Sequence, residues 1–202
     1  MSGIPKRMTG AGRELLTIAA VAIVVMLSGA GESRGAGEPE LWQALRSGGH
    51  VAMIRHAIAP GTGDPDNFTV GDCATQRNLS AEGRAQAERI GRRFRDNGIA
   101  AARVLSSQWC RCLETAELLQ LGTVTELTAL NSLHGRPRNR EPQTKALKEW
   151  LMRQDAGEVH VLVSHQTNIS ALTGFFPGSG EIVIIRVASD GGVSVAGSIK
   201  TN

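Results

Sequence analysis

Short apolar segments alternate with helical segments along most of the chain, and this alternation limits the fold more than any other feature. Apolar runs of strand length, bounded by turn residues, predict strands over residues 50–55, 104–106, 124–127, 159–163, 182–187 and 193–196. Apolar residues at helical spacing, with capping signals, predict helices over residues 38–46, 81–96, 110–121, 143–153 and 167–174. Strands that alternate with helices favour a three-layer α/β sandwich with a mostly parallel central sheet.

Three of the predicted strands end in polar residues that can bind phosphate. Arg55 and His56 follow the first strand, Ser107 follows the second, and His165 follows the strand over 159–163. In open α/β sheets, ligands bind beyond the carboxyl ends of the strands. Arg111 falls in the first turn of a predicted helix, where a cation is unfavourable unless it shares an anion with the helix N-terminus. Each residue alone is also consistent with a solvated strand end or helix end, but their convergence favours a phosphate site.

These residue types are suited to phosphoryl transfer. A neutral His56 imidazole would attack phosphorus while Arg55 and Arg111 neutralise the equatorial oxygens, and His165 would add a further donor. Arginine suits this role because its planar fork binds phosphate oxygens in pairs. Water would then hydrolyse the phosphohistidine. The sequence therefore predicts four catalytic residues, and neither a cofactor nor a metal.

Residues 1–36 have the order of a secretory signal peptide followed by a short linker. Basic residues precede an apolar run over 15–27, and small residues follow it. The run is shorter than the roughly 20 residues of a membrane span, although an uncleaved anchor remains an alternative. We expect cleavage after Ala30 or Ala36, a periplasmic or secreted domain over residues 37–202, and no stable membrane span in the mature protein.

The three cysteines are consistent with an oxidising compartment. Cys73 lies in a polar loop, and Cys110 and Cys112 flank Arg111. A bridge from Cys73 to either of the other two would tie the loop to the segment that carries Arg111, whereas three reduced, packed thiols are the alternative. Zinc binding is disfavoured, because Cys110 and Cys112 are too close together and no Cys or His lies at finger spacing.

Charge and motif spacing argue against several other functions. The formal net charge is only +3, and no long basic block indicates a nucleic-acid partner. A cysteine phosphatase needs Arg six positions from its Cys, and none of the three cysteines has one. A metallohydrolase built on His50, His56 and His165 would lack the Asp or Glu ligands expected beside them.

Four segments resemble, in order, the signatures of the histidine phosphatase superfamily, also called phosphoglycerate mutase-like. Residues 53–57 (Met-Ile-Arg-His-Ala) resemble the Arg-His-Gly signature of that family, and residues 78–87 resemble its helix start, Leu-Thr-x-x-Gly-x-x-Gln-Ala. Residues 107–116 resemble its Ser-x-x-x-Arg-Ala-x-x-Thr-Ala element, and residues 163–165 resemble the strand that carries its second histidine. The resemblance implies a phosphoglycerate mutase-like fold. It also implies that His56 is the phosphorylated histidine, Arg55 and Arg111 are phosphate ligands, and His165 is the second histidine.

The resemblance does not supply the acid that protonates the leaving group. The mutase branch carries a Glu after the third strand, at the position where this chain has Ser132. The acid-phosphatase branch carries an Asp directly after the second histidine, at the position where this chain has Gln166. Glu141, Asp64 and Asp66 are the remaining candidates. A site without a strong acid favours substrates with good leaving groups.

Together these features predict a phosphatase that hydrolyses a phosphomonoester through a phosphohistidine on His56. The chain also resembles exported members associated with phosphate on the lipopolysaccharide core sugar heptose, so we expect a periplasmic sugar phosphate or a glycolipid phosphate of that core as substrate. Two alternatives remain: a phosphate-binding module of the same fold without turnover, and a phosphohistidine phosphatase.

Arg136, Arg138 and Arg140 either bind further anionic groups or form a solvated basic turn.

Overall fold

The computed structural model describes residues 37–155 and 157–201, so the predicted signal peptide over 1–36 and its cleavage sites lie outside the described residues. The helices and strands follow one another in the order α1 (Glu38–Ser47), β1 (His50–Arg55), α2 (Ala81–Asp96), β2 (Arg103–Ser106), α3 (Cys110–Leu119), β3 (Val124–Glu126), α4 (Arg140–Met152), β4 (His160–Ser164), α5 (Gln166–Thr173), β5 (Ile182–Val187) and β6 (Val193–Ile199). Among these elements, no helix has the length and apolar character needed to cross a bilayer.

The strands form one sheet in the order β3-β2-β4-β1-β5-β6. The pairs β3–β2, β2–β4 and β4–β1 are parallel, and β1–β5 and β5–β6 are antiparallel. The predicted α/β fold with a mostly parallel central sheet is therefore confirmed. The two antiparallel pairs place the closing hairpin at one edge.

Strand β1 is buried on both faces and shows why the domain has three layers. Ala52 and Ile54 pack into a cluster with residues of α1, α2 and α3, whereas Val51 and Met53 pack into a second cluster with residues of α4 and α5. This alternation follows from the two-residue period of a strand. A strand covered on both faces has to be apolar throughout, as residues 51–54 are.

Two helix boundaries differ from the sequence-based expectation for identifiable reasons. Helix α4 begins at Arg140 rather than at residue 143, because Pro142 lies in the first turn, where no backbone N–H is needed. Helix α3 ends at Leu119 rather than at residue 121, because Gln120 adopts a left-handed conformation with φ of 53°.

A disulfide joins Cys73 to Cys110, with Cα atoms 5.6 Å apart. It fastens the long loop between β1 and α2 to the first turn of α3. Cys112 is a buried free thiol, and burial raises its pKa to about 12. Of the two alternatives that the sequence left open, the structure therefore shows the bridge, with Cys110 as the partner of Cys73.

Candidate active site

The carboxyl ends of β1, β2 and β4 meet at one edge of the sheet. Strand β4 lies between β1 and β2 and is parallel to both, with Arg55 opposite Ser164. The His56 N–H donates to the Ser164 carbonyl at 2.9 Å, and the Ser107 N–H donates to the Val163 carbonyl at 3.0 Å. These bonds extend the ladder by one residue beyond β1 and β2, so the polar strand ends are held in a fixed relation.

A cleft of about 180 Å³ opens at this edge of the sheet. All four residues predicted for the site line it: Arg55, His56, Arg111 and His165. The other lining residues come from the loop after β1, the segment after β3 and the start of α5: Gly61, Thr62, Gly63, Arg77, Ser132, His134, Gln166 and Thr167. The structure therefore brings the predicted residues together and adds loop residues that sequence reasoning did not identify.

His56 is held as a neutral imidazole in one tautomer. Its side chain is only 2% exposed. Nδ1 lies 2.8 Å from the Ala57 carbonyl, and because a carbonyl only accepts, Nδ1 carries the proton and Nε2 is left with a free lone pair. Burial, and after it the charge of Arg111, lowers the pKa of His56 to about 3. This is the protonation state that a nucleophilic histidine needs.

His165 lies beside the nucleophile in an edge-to-face arrangement, with the two ring centroids 5.5 Å apart. Arg111 Nη2 donates to Nδ1 at 3.4 Å, so Nε2 carries the proton and donates to Ser107 Oγ at 2.9 Å. Burial, and after it the charges of His56 and Arg111, lowers the pKa of His165 well below its ordinary value. His165 thus orients Arg111, and donation to a phosphoryl group from Nδ1 requires that this nitrogen first gain a proton and give up its contact with Arg111.

Two arginines present buried N–H donors that have no partner. Arg55 Nη1 donates to the Pro177 carbonyl at 3.1 Å, but Nε of Arg55 and Nε of Arg111 are buried and unbonded among the described residues. A buried donor left unpaired costs about 1–3 kcal/mol. Burial, and after it the charge of Arg111, lowers the pKa of Arg55, as expected for cations that lack a shared counter-ion. Because both side chains line the cleft, an anion bound there would offset this repulsion and is a suitable partner for such donors.

Arg77 is a third arginine in the cleft, and the sequence analysis missed it. Its Nε donates to the Gly63 carbonyl at 2.7 Å, and its Nη1 donates to the Ala59 carbonyl. Burial, and after it the charge of Arg111, lowers its pKa. No periodic pattern marks a residue in this loop, although its position just before the helix-start segment at 78–87 was a usable signal.

Asp64 is bound to Arg111 and is therefore wrong as a candidate general acid. Its Oδ1 accepts from Arg111 Nη1 at 2.7 Å, and its Oδ2 accepts from Arg111 Nη2 at 3.3 Å and from Trp109 Nε1 at 3.0 Å. Burial raises the pKa of Asp64, but the hydrogen bonds and charge of Arg111 outweigh it and leave the pKa below its ordinary value. A carboxylate held ionised by a cation cannot supply a proton near neutral pH.

The other two carboxylate candidates do not line the cleft. Asp66 lies on an adjoining cavity that shares Ser132 and His134 with the cleft. Glu141 is exposed at the start of α4 and lines a different surface depression. Glu141 is therefore wrong as a candidate general acid, because it is exposed at the start of α4 and does not line the cleft.

Arg136 is not part of a freely solvated turn. Its guanidinium lies 5.2 Å from the ring centroids of both Phe68 and Trp109, at cation–π distance. Arg138 and Arg140 are exposed, as a solvated basic turn requires. Arg138 and Arg140 therefore fit the solvated turn, whereas Arg136 packs against two aromatic rings and fits neither interpretation as stated.

His50 lies at the opposite end of β1 from His56, where it lines a separate cavity of about 280 Å³ together with His160. It cannot share a ligand with His56 across the length of a strand. Within the described ranges, no three His, Cys, Asp or Glu side chains come together as a metal-binding group. The three-histidine arrangement of a metallohydrolase is thus absent from this part of the chain.

Residues 52–136 match the family model of the histidine phosphatase superfamily (branch 1). No curated protein matches the sequence significantly. The protein histidine phosphatase SixA complexed with tungstate is structurally similar, with a TM-score of 0.55 and 17% identity over 75% of this chain and 97% of its own. The phosphoserine phosphatase of Entamoeba histolytica in complex with 3-phosphoglyceric acid has a TM-score of 0.56 and 13% identity over 76% and 98%. A mycobacterial glucosyl-3-phosphoglycerate phosphatase with inorganic phosphate has a TM-score of 0.50 and 16% identity over 67% and 88%.

At these identities the structural likeness shows a shared fold. The family match adds more, because its segment contains Arg55, His56 and Arg111, which the structure brings to one cleft. The predicted phosphoglycerate mutase-like fold and the prediction of a histidine phosphatase, a phosphoric monoester hydrolase, are confirmed by these findings. Over residues 52–136 this chain is similar to the histidine phosphatase superfamily (branch 1), as the sequence resemblance implied.

Proposed function

We propose that this protein hydrolyses a phosphomonoester through a phosphohistidine intermediate on His56. One observation carries the proposal. The buried, neutral His56 imidazole, with its proton fixed on Nδ1, lines a cleft beside the unpaired Nε donors of Arg55 and Arg111. A nucleophile with a free lone pair next to cationic donors without partners matches the needs of a phosphoryl group.

The proposed reaction has two steps. The Nε2 lone pair of His56 forms a bond to phosphorus, and the bond from phosphorus to the ester oxygen breaks. The Nδ1–H bond to the Ala57 carbonyl persists and stabilises the positive charge that the ring gains. Arg55 and Arg111 stabilise the charge on the equatorial oxygens. Water then attacks phosphorus, and the bond from phosphorus to Nε2 breaks, which releases inorganic phosphate and restores the neutral imidazole. The proton that the water loses balances the proton that the departing ester oxygen gains.

For the physiological substrate we propose a periplasmic sugar phosphate or a phosphate of the lipopolysaccharide core. The signal-peptide pattern over 1–36 supports export, and the Cys73–Cys110 bridge supports an oxidising compartment. The resemblance to exported members associated with phosphorylated heptose supports the substrate class. Cell fractionation should place the protein in the periplasm with an N-terminus after Ala30 or Ala36, and recovery of the full chain from the cytoplasm would contradict this.

The test is a turnover assay with p-nitrophenyl phosphate, a panel of sugar phosphates and a phosphohistidine peptide. We expect turnover and an acid-labile phosphoprotein in the wild type. In His56→Ala, kcat/KM should fall by about 10³-fold or more, and the phosphoprotein should not form. His50→Ala is the matched control, since this histidine lies at the other end of β1. Equal activity in His56→Ala would refute the nucleophile. A wild type with neither turnover nor phosphoprotein would instead indicate a phosphate-binding module.

A further inference from the structure

The first step of the proposed reaction leaves an alkoxide, which needs a proton when the leaving group is a sugar or another alcohol. The carboxylates considered for this role do not supply it: Asp64 is paired with Arg111, and Asp66 and Glu141 do not line the cleft. Ser132, at the position where the mutase branch has its acid, carries only a hydroxyl group. A donor has to be sought among the remaining side chains of the cleft.

The cleft is lined by three histidines, and histidine is the side chain whose ordinary titration range includes neutral pH. Two of them are committed to other tasks. His56 is held neutral with a free Nε2, and both ring nitrogens of His165 contact neighbouring side chains. Among the described residues of the cleft, His134 is therefore the side chain left to carry an exchangeable proton.

The position of His134 fits delivery to a leaving group. Its side chain is exposed at the point where the cleft joins the cavity lined by Asp66 and Arg136, so it lies between the phosphate site and the space open to the rest of a substrate. Its backbone N–H donates to Ser132 Oγ at 3.3 Å. Its Nε2 packs on Gly63, where an added Cβ would lie 3.5 Å from this nitrogen. The ring is thus held against the loop that closes one side of the cleft.

We propose that His134 is the general acid that protonates the leaving oxygen when the phosphoryl group passes to His56. This inference rests on the proposed function. As the bond from phosphorus to the ester oxygen breaks, a ring N–H of the His134 imidazolium transfers its proton to that oxygen, and the alcohol leaves. The neutral His134 then accepts a proton from the water that attacks the phosphohistidine, which restores the imidazolium.

Charged groups of both signs line the two cavities that share His134. Arg55, Arg77 and Arg111 line the cleft, and Asp64, Asp66 and Arg136 line the adjoining cavity. A bound phosphate dianion would add negative charge on the cleft side.

The discriminating experiment compares two leaving groups in the full-length protein. The p-nitrophenolate anion leaves without a proton, whereas the alkoxide of glycerol 2-phosphate needs one. In His134→Gln, kcat/KM for glycerol 2-phosphate should fall by about 10²–10³-fold, while that for p-nitrophenyl phosphate should fall by less than about threefold. The wild-type decline in kcat for the alkyl ester at alkaline pH, where the acid loses its proton, should disappear in the variant.

Two carboxylate variants serve as matched controls. Asp66→Asn and Glu141→Gln remove the carboxylates outside the cleft and should leave the ratio of the two kcat/KM values unchanged. Equal losses on both substrates in His134→Gln, an unchanged ratio in that variant, or a selective loss in Asp66→Asn would each overturn the assignment. Failure of the proposed function has a different signature, since the wild type would then not turn over p-nitrophenyl phosphate at all.

Discussion

Acidification should destabilise this fold, because the native state keeps His56 neutral. Burial, and after it the charge of Arg111, lowers the pKa of His56 to about 3, whereas a histidine in an unfolded chain titrates near pH ~6.5. Between these values the unfolded chain binds a proton that the folded protein does not bind. The free energy of unfolding therefore falls as the pH falls through this window. Above the unfolded pKa the contribution of His56 to stability is fully present.

The size of the effect follows from the width of the window. One pH unit corresponds to about 1.4 kcal/mol for one histidine. A change from about pH 7.5 to about pH 5 covers roughly 1.5 units below the unfolded pKa, so His56 alone should lower the free energy of unfolding by about 2 kcal/mol. Solvent screening removes little of this, since His56 is 2% exposed. His165 acts in the same direction, because its pKa is also lowered.

Urea denaturation at the two pH values measures this change. In His56→Gln the stability lost on acidification should be smaller than in the wild type by about 2 kcal/mol, because the titrating group is gone. Nitrogen NMR of the histidine rings gives a second measurement, in which His56 should keep one proton, on Nδ1, down to about pH 4. An equal loss of stability in both proteins, or a His56 ring that titrates near pH ~6.5, would refute the neutral nucleophile.

Three further predictions concern the framework of the site. Asp64→Ala should lower the free energy of unfolding by about 3–5 kcal/mol, because it leaves the charge of Arg111 buried and unpaired; a loss below about 1 kcal/mol in urea denaturation would contradict this. Gly91→Ala should cost about 1–3 kcal/mol, since its Cβ would lie 2.1 Å from a backbone oxygen of α3, and an unchanged melting temperature would exclude the close helix contact. Reduction of the Cys73–Cys110 bridge should lower the free energy of unfolding by about 2–4 kcal/mol, measured against the Cys110→Ser protein, which should not respond to reductant.

The positions of the strands, and the polar residues at their carboxyl ends, could be predicted because both depend on local sequence. Residues 51–54 are apolar throughout, as a strand covered on both faces requires. Ser80 could be identified as a helix cap from its type and position, and its Oγ does accept from the Gly83 N–H at 3.0 Å. Parallel strands then bring their carboxyl ends to one edge by topology alone, so Arg55 and His165 could be expected to converge.

The loop residues of the site could not be predicted in this way. Arg77 and Asp64 take their positions from contacts far along the chain, such as the bond of Arg77 to the Gly63 carbonyl and the pair between Asp64 and Arg111. No periodicity encodes such contacts in a loop rich in Gly, Pro and Asp. The carboxylates of that loop were considered as acids, and only the structure shows that one of them is a counter-ion instead.

The choice between Cys110 and Cys112 as the partner of Cys73 could have been made from the sequence by considering helical phase. Residues two apart on a helix project about 200° apart, so the two thiols cannot both face the loop that carries Cys73. Thr115, Ala116 and Leu119 follow Cys112 at spacings of three, four and seven, which is the stripe that a helix buries. The structure buries all three of these residues, and Cys112 Sγ lies 3.4 Å from Nε2 of His165. Helical phase alone is therefore sufficient to place Cys112 in the core and to leave Cys110 as the partner for the bridge, although the sequence analysis kept both open.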